Sequence, residues 1–344
     1  KILQAVEKPY RVEGTDQWLT GSIGIALASS DGDTPEELIR CADMAMYQAK
    51  AEGRNRYFFY REGLNREVAE RASLITGLRE ALNQDHLLLH YQPQIDLLSG
   101  ELIGAEALIR WQHPERGLVS PGEFVPIAEE SGLMGPIGLW VMRRALEERH
   151  RWQAAGHQGL RISVNVSAQQ LSKEGFAGEV AELLQEIGVG DGALEIEITE
   201  SAVLSRAEVI AQNLAALRTH GVGVALDDFG TGYSSLTLLQ RLPVDTLKID
   251  RSFVSKILTD PTTRLIVASL VQLAKDLGIT PVAEGVETDD DVDQLHALGC
   301  RQLQGYLLAK PMEGNELLEY MNGGAAPWDA PLERFYGRAG VVPG

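Results

Sequence analysis

The chain has 344 residues, 44% of them apolar and 23% charged, and its formal net charge is −18. This length and composition are typical of a globular protein with one large domain and a smaller one. The negative charge excludes non-specific binding to DNA or RNA polymers, and the lack of a run of about 18 apolar residues predicts no membrane segment.

The first 60 residues predict a small α+β unit. Leu19–Ser29 is typical of a buried strand, and Arg56–Tyr60 of a short aromatic strand. Between them, Thr34 is placed to cap a helix that begins with a proline and ends near Gly53. Because these elements cannot enclose a core, we expect residues 1–60 to be the end of a domain that starts further upstream.

Two segments flank the predicted large domain. Residues 61–83 are charged and place Leu74, Leu78 and Leu82 at helical spacing, which predicts a helical linker. Residues 323–344 are rich in Gly, Pro and Ala and predict a flexible tail. The large domain is therefore expected over residues 84–322.

Within the large domain, strand patterns alternate with helix patterns. The eight predicted strands are His86–Ile95, Glu101–Arg110, Leu160–Val166, Leu194–Thr199, Val222–Asp227, Thr246–Asp250, Thr280–Glu284 and Arg301–Gln304. A short turn at Ser99 and Gly100 makes the first two an antiparallel pair. The predicted fold class is α/β, a TIM-type (β/α)8 barrel with an antiparallel first strand pair, plus the small α+β fragment at the N-terminus. An open, doubly wound sheet is the alternative.

Alternation along these strands predicts which side chains point into the barrel. Glu106, Asn165, Glu197, Asp227 and Glu284 face inward near the strand ends where barrel active sites are assembled. Any one of them alone is typical of a solvated strand end. Four carboxylates converging on one mouth would repel each other unless cations lie between them, and oxygen ligands suit Mg²⁺ or Mn²⁺.

Asp227 and Asp228 are consecutive, so on a regular strand they would point in opposite directions. Both can reach one site only if the strand ends there, which the following Gly230 and Gly232 favour. A shared Asp bridging two ions, with its neighbour on the second ion, is one interpretation. An Asp-rich turn before glycines is the other.

Eight ordered motifs resemble those of one known family. They are YQPQ (Tyr91–Gln94), EALIRW (Glu106–Trp111), SVNVS (Ser163–Ser167), EITES (Glu197–Ser201), DDFGTGYSS (Asp227–Ser235), LKID (Leu247–Asp250), AEGVET (Ala283–Thr288) and QGYLLAKP (Gln304–Pro311). Over roughly residues 75–322 the chain resembles the EAL-domain cyclic di-GMP phosphodiesterases. No metal or catalytic position departs from the family pattern.

The resemblance implies a role for each matching residue. The implied ligands are Glu106, Asn165, Glu197 and Asp227 for one metal ion, and Asp227, Asp228 and Glu284 for the second. Lys248 is implied to hold or activate the attacking water, and Glu284 is an alternative base. Glu200 is implied to anchor the Asp228–Ser235 loop, and Gln304 to support the site. Arg110 is implied to contact phosphate, and Gln92 with Tyr306–Pro311 to line a guanine pocket. A cap on the following helix is the alternative role for Glu200.

The function implied by the resemblance is hydrolysis of cyclic di-GMP to linear pGpG with two divalent ions, Mg²⁺ or Mn²⁺, which lowers the level of this bacterial second messenger. A non-catalytic cyclic di-GMP receptor is the alternative, although such a barrel would normally have lost carboxylates from the mouth. A protein-interaction module is a further alternative. Relatives also imply a homodimer through the barrel.

The N-terminal unit resembles the end of a GGDEF (diguanylate cyclase) domain, through LTGSIGIA, ADMAMYQAK and GRNRYFF. The GGDEF signature is absent from these residues, so no synthesis of cyclic di-GMP by this chain is expected. Cys41 and Cys300 match no metal or redox spacing and are expected to be buried thiols, not a disulfide. A cytoplasmic location follows, with a membrane tether possible upstream in the intact parent protein.

Overall fold

The structure, a computed structural model, describes residues 1–12, 15–28, 30–51, 53–200, 202, 207–230, 242–324, 326–328 and 331–332. The chain divides into two compact units. The first comprises Lys1–Glu80 and Gly122–Ser131, and the second comprises Ala81–Pro121 and Gly132–Gly344. The predicted bounds of the N-terminal part, linker, barrel and tail stay a prediction.

The first unit is a small α+β fragment, as predicted. Its elements, with the helix that leads out of it, are α1 (Ile2–Val6), β1 (Tyr10–Val12), β2 (Thr15–Gln17), β3 (Ile23–Ile25), α2 (Pro35–Ala51), β4 (Tyr57–Phe59), α3 (Leu64–Ala81) and α4 (Pro121–Glu130). Strands β1 and β2 form an antiparallel pair, and β3 and β4 a parallel pair. At the start of α2, Thr34 and Glu37 exchange the hydrogen bonds of a capping box, as the sequence predicted.

Strand β3 packs closely against α2 at Gly24. A Cβ atom at this position would lie 1.8 Å from the Ala42 carbonyl oxygen, so only glycine permits the contact. The predicted buried strand Leu19–Ser29 is nevertheless wrong in length and burial, because β3 has three residues and all are only half-buried. One helix covers this two-stranded sheet, and Tyr57 of β4 remains exposed.

The second unit contains a closed eight-stranded barrel, which confirms the predicted fold class and rules out the open sheet. The strands of this unit are β5 (Leu87–Asp96), β6 (Leu102–His113), β7 (Gly117–Val119), β8 (Arg161–Asn165), β9 (Leu194–Thr199), β10 (Gly223–Asp227), β11 (Thr246–Ile249), β12 (Thr280–Ala283) and β13 (Gln302–Leu303). The order around the barrel is β5-β13-β12-β11-β10-β9-β8-β6, and a β5–β6 pairing closes it. Strand β5 is antiparallel to both neighbours, and the unpredicted β7 is added to β6 outside the ring.

Helices surround this barrel on its outer side. They are α5 (Met134–Ala154), α6 (Ala168–Leu171), α7 (Phe176–Ile187), α8 (Ala207–Thr219), α9 (Arg251–Val254), α10 (Pro261–Asp276), α11 (Asp289–Ala297) and α12 (Gly314–Met321). The apolar residues that alternate with the inward-facing ones along these strands are at most 1% exposed: Ile162, Val164, Ile196, Ile198, Val224, Leu226, Leu247 and Ile249. Each of these strands therefore has one face that packs against the helices and one face that points into the barrel.

Three further expectations can be compared with the structure. Cys41 and Cys300 are both free and buried, as expected. None of the helices in the described part of the chain is both long and apolar enough to cross a bilayer. In the segment predicted to be a flexible tail, Trp328 and Leu332 are buried, and the Trp328 ring lies 6.0 Å from that of Tyr320. The composition of this segment did not predict that packing.

Candidate active site

The predicted site residues are brought together at the carboxyl ends of the parallel strands. Glu106 lies in β6, Asn165 ends β8, Glu197 lies in β9, Asp227 ends β10, Lys248 lies in β11, and Glu284 directly follows β12. Because these strands are parallel neighbours, their ends share one edge of the barrel. Alternation of side chains was therefore sufficient to predict this convergence.

The Lys248 ammonium lies at the centre of the group. Its Nζ atom is 2.5 Å from Glu197 Oε2, 2.5 Å from Glu284 Oε1, 3.4 Å from Glu106 Oε2 and 3.7 Å from Asp227 Oδ2. Burial of Lys248 lowers its pKa, but the surrounding carboxylates outweigh burial and hold the pKa well above its usual value. A lysine of this chain is thus one of the cations that the carboxylates require.

Glu106 is buried and held by three donors. Gln304 Nε2 donates to Oε2 at 2.6 Å, Asn165 Nδ2 donates to Oε1 at 2.7 Å, and Lys248 Nζ approaches Oε2. Burial raises the pKa of Glu106, but Lys248 and these hydrogen bonds outweigh it and hold the pKa below its ordinary value. Glu106 is therefore ionised and oriented.

Glu197 is equally buried but only partly satisfied. Its Oε1 atom has no hydrogen-bond partner among the described residues. Burial, together with the neighbouring Glu106, raises the pKa of Glu197 well above its ordinary value in spite of Lys248. Burial likewise raises the pKa of Glu284 to about 8. The site therefore lacks positive charge next to Glu197 and Glu284.

These observations bear on the predicted metal ions. One ammonium faces four carboxylates, so the site lacks the positive charge that would keep all four ionised. The unpartnered Glu197 oxygen likewise points to a missing cation. The donor set consists of hard oxygen atoms, which suits a divalent ion of the Mg²⁺ type. In the described part of the chain, no three His, Cys, Asp or Glu side chains are already arranged around one metal position.

The chain turns sharply where β10 ends. Asp228 has a φ angle of 56°, in the left-handed region, and its backbone N–H donates to Asp227 Oδ1 at 2.9 Å. Burial and the neighbouring Asp227 raise the pKa of Asp228. Most of the predicted loop Asp228–Ser235 falls outside the described residues, which resume at Leu242. The predicted end of the strand is confirmed.

Glu200 is buried just beyond the end of β9. Its Oε2 atom accepts a hydrogen bond of 3.4 Å from the Gly230 backbone N–H, at the start of the predicted loop. Ser201, where the predicted alternative would place a capped helix, lies outside the described residues. The contact with Gly230 favours the loop interpretation.

The residues predicted to meet the substrate include two glutamines that are hydrogen-bonded to each other. Gln304 Nε2 also donates to Gln92 Oε1, and Gln92 Nε2 donates to the Ala309 carbonyl, both at 3.1 Å. Arg110 is half-buried on the same face of β6 as Glu106, and its Nη1 atom donates to the Ile109 carbonyl. Each glutamine thus connects the site to a neighbouring segment.

A cleft of about 220 Å³ opens onto these groups. Among its lining residues are Gln92, Glu106, Asp227, Lys248, Glu284, Gln304 and Tyr306. Sequence reasoning missed Arg251 and Glu287, which line the cleft and form an ion pair of 2.7 Å. Both follow a barrel strand by only a few residues, and that position was the signal that could have identified them.

Comparison with known proteins gives two family matches. The EAL domain family matches residues 76–311, and the family described as diguanylate cyclase, GGDEF domain, matches residues 1–56. The bifunctional diguanylate cyclase/cyclic di-GMP phosphodiesterase MucR of Pseudomonas aeruginosa is 42% identical over 92% of this chain and 46% of its own length. The cyclic di-GMP phosphodiesterase PdeR of Escherichia coli is 39% identical over 91% of this chain and 47% of its own.

The chain therefore spans about half the length of the curated relatives it matches. Among solved structures, the PaMucR phosphodiesterase in complex with c-di-GMP is 42% identical, with a TM-score of 0.69 over 71% of this chain and 99% of that one. The FimX EAL domain from Pseudomonas aeruginosa bound to c-di-GMP is 26% identical, with a TM-score of 0.64 over 70% of this chain and 96% of that one.

Proposed function

This chain belongs to the EAL domain family, and on that basis we propose that its barrel hydrolyses cyclic di-GMP to linear pGpG with two divalent metal ions. The observation that carries the proposal is the group of four carboxylates around Lys248, with Glu197 Oε1 buried and unpartnered. Relatives named as cyclic di-GMP phosphodiesterases support the choice of substrate. Such an activity lowers the level of this second messenger.

The proposal assigns oxygen and amide side chains of the site to two ions. The proposed ligands are Glu106, Asn165, Glu197 and Asp227 for one ion, and Asp227, Asp228 and Glu284 for the other. When bound, the ions supply charge neutralisation at the phosphate and lower the pKa of the attacking water. Mg²⁺ and Mn²⁺ both suit this donor set.

The chain's own side chains position the reaction. Lys248 Nζ, which lies at the centre of the carboxylates, is proposed to hold the attacking water. Glu284, whose Oε1 atom lies beside Lys248 Nζ, is proposed to accept the proton of that water. Arg110 offers a fixed fork of donors for a phosphate group. The water gives a proton to Glu284 as its oxygen bonds to phosphorus, the bond from phosphorus to one sugar oxygen breaks, and the released sugar oxygen takes up a proton. Gln92 and Tyr306 are proposed to meet the guanine bases, since both line the cleft.

Metal removal tests this proposal directly. Cyclic di-GMP incubated with the protein and Mg²⁺ or Mn²⁺ should yield pGpG, as resolved by chromatography. Excess chelator should stop the release and added metal should restore it, because the carboxylates need divalent charge to approach a phosphate. Binding of cyclic di-GMP without release of pGpG under any metal condition would contradict the proposal and support the non-catalytic receptor.

Glu200 is proposed to anchor the loop that begins at Asp228. Glu200→Gln keeps the size of the side chain but weakens its acceptance of the hydrogen bond from Gly230. We expect kcat and metal affinity to fall while the melting temperature barely moves, as measured by kinetics, metal titration and thermal unfolding. A homodimer through the barrel stays a prediction. The kinetic assay tests it, because the activity of a dimer per molecule would depend on protein concentration.

The capping interpretation of Glu200 predicts the opposite pattern. The melting temperature should then fall, while turnover per folded molecule stays near normal. Unchanged kinetics together with an unchanged metal titration would remove Glu200 from the functional residues.

A further inference from the structure

A line of three hydrogen bonds runs through the barrel interior and ends at Glu106. Arg161 Nη2 donates to Gln94 Oε1 at 3.2 Å, and Gln94 Nε2 donates to Gln304 Oε1 at 3.0 Å. Gln304 Nε2 then donates to Glu106 Oε2 at 2.6 Å. From this line we infer that Gln94 and Arg161 are positioning residues, which set the orientation of the Gln304 amide and through it that of the Glu106 carboxylate.

The chemistry of the two ends determines the direction of every bond between them. A guanidinium has only donors, so Gln94 must present its oxygen to Arg161 and its nitrogen to Gln304. An ionised carboxylate only accepts, so Gln304 must present its nitrogen to Glu106. Both requirements select the same orientation of the two amides. Turning the Gln94 amide would break two hydrogen bonds, and turning the Gln304 amide would break three, because Gln304 also donates to Gln92.

Arg161, at the start of the line, is itself held in place. Its Nη1 atom lies 3.1 Å from Glu195 Oε2, and Glu195 is 1% exposed. Ser163 and Thr246 donate to the same carboxylate, at 3.0 and 2.6 Å. A partly buried ion pair such as this one is a weak source of stability compared with apolar packing. We therefore assign the Arg161–Glu195 ion pair a role in orienting the Gln94 amide.

This inference rests on the proposed function, in which Glu106 is a metal ligand. Ligating carboxylates are oriented by the groups that hydrogen-bond to them, and loss of such a group costs about 10–100-fold in metal affinity or activity. Gln94 is 1% exposed and Gln304 is 4% exposed, so water cannot readily replace either one. The hydrogen bonds that orient Glu106 through Gln304 are therefore made by protein groups and not by water.

Gln94→Glu tests the line because it keeps the shape of the side chain and removes its donor. The new carboxylate still accepts from Arg161 but cannot donate to Gln304, so Gln304 Oε1 faces a carboxylate oxygen. The repulsion displaces the Gln304 amide from the position in which it donates to Glu106. We expect kcat to fall about tenfold or more, and Mn²⁺ affinity, measured by calorimetry without substrate, to fall by a similar factor. An added negative charge acting only by Coulomb attraction would raise Mn²⁺ affinity, so the sign of the change is diagnostic.

A double-mutant cycle tests whether Gln94 acts through Gln304. Gln304→Met alone should lower kcat and Mn²⁺ affinity, and adding Gln94→Glu to it should produce no further loss. Additive losses would overturn the inference. If Gln94→Glu does not fold, Gln94→Met replaces it in the same cycle. Its loss of kcat and Mn²⁺ affinity should be smaller, and it should again add nothing to the loss caused by Gln304→Met.

Asn213→Asp is the matched control, since it makes the same amide-to-carboxylate change at another buried position. Asn213 Nδ2 donates to the Leu171 and Lys173 carbonyls, away from the site. This variant should lose thermal stability and keep kcat and Mn²⁺ affinity. If Gln94→Glu behaves in the same way, Gln94 is only structural and the inference fails.

The same measurements separate this inference from the proposed function. If the wild-type protein binds Mn²⁺ but releases no pGpG, the proposed function is wrong. The Mn²⁺ affinities of the variants would then still test the line of hydrogen bonds. A wild-type protein that binds no Mn²⁺ would overturn both.

Discussion

Replacement of Glu106 by alanine is expected to lower kcat for cyclic di-GMP by about 100-fold or more, the scale on which loss of a principal electrostatic group is felt. The Glu106 carboxylate accepts hydrogen bonds from both Asn165 and Gln304, so its removal also releases two neighbours in the site. Asp227→Asn should have an effect of the same size, because it removes a charge that faces Lys248 at 3.7 Å. Steady-state assays at saturating Mg²⁺ measure both effects.

Glu101→Ala is the control for this prediction, since Glu101 is exposed and directly precedes β6, the strand that carries Glu106. It should leave kcat unchanged. Near-normal turnover of purified, folded Glu106→Ala or Asp227→Asn would contradict the two-metal proposal.

Replacement of Lys248 by methionine should abolish most turnover and also destabilise the protein. Removing one partner of a buried charge cluster costs about 3–5 kcal/mol, because the remaining charges are left buried without compensation. For a domain of this size that corresponds to a fall in melting temperature on the order of 10 °C. The fall should be larger in chelator than in Mg²⁺, since divalent ions can replace part of the lost positive charge.

Lys256→Met serves as the control, because Lys256 is exposed and follows α9, the short helix after the strand that carries Lys248. Thermal unfolding of both variants, with and without Mg²⁺, provides the comparison. An Lys248→Met protein as stable in chelator as the wild type would show that the ammonium is not what balances Glu197 and Glu284.

Much of the site was predictable because alternation along a strand is a local rule. Ile196 and Ile198 alternate with Glu195 and Glu197, so the direction of both carboxylates follows from the sequence once the strand is recognised. The same rule places Asp227 and Lys248 inside a barrel. Parallel neighbours then bring these side chains to one edge without any knowledge of distances.

The sequence by itself therefore determined the barrel, the antiparallel first strand pair and the set of residues at its mouth. Only the tertiary structure decided that Lys248 lies between the carboxylates, because five strands separated in sequence must close before their side-chain tips can meet. It also decided that Gln94 connects to Arg161, a contact between residues 67 positions apart. Hydrogen bonds of this kind depend on the register and tilt of a closed barrel, which no local pattern encodes.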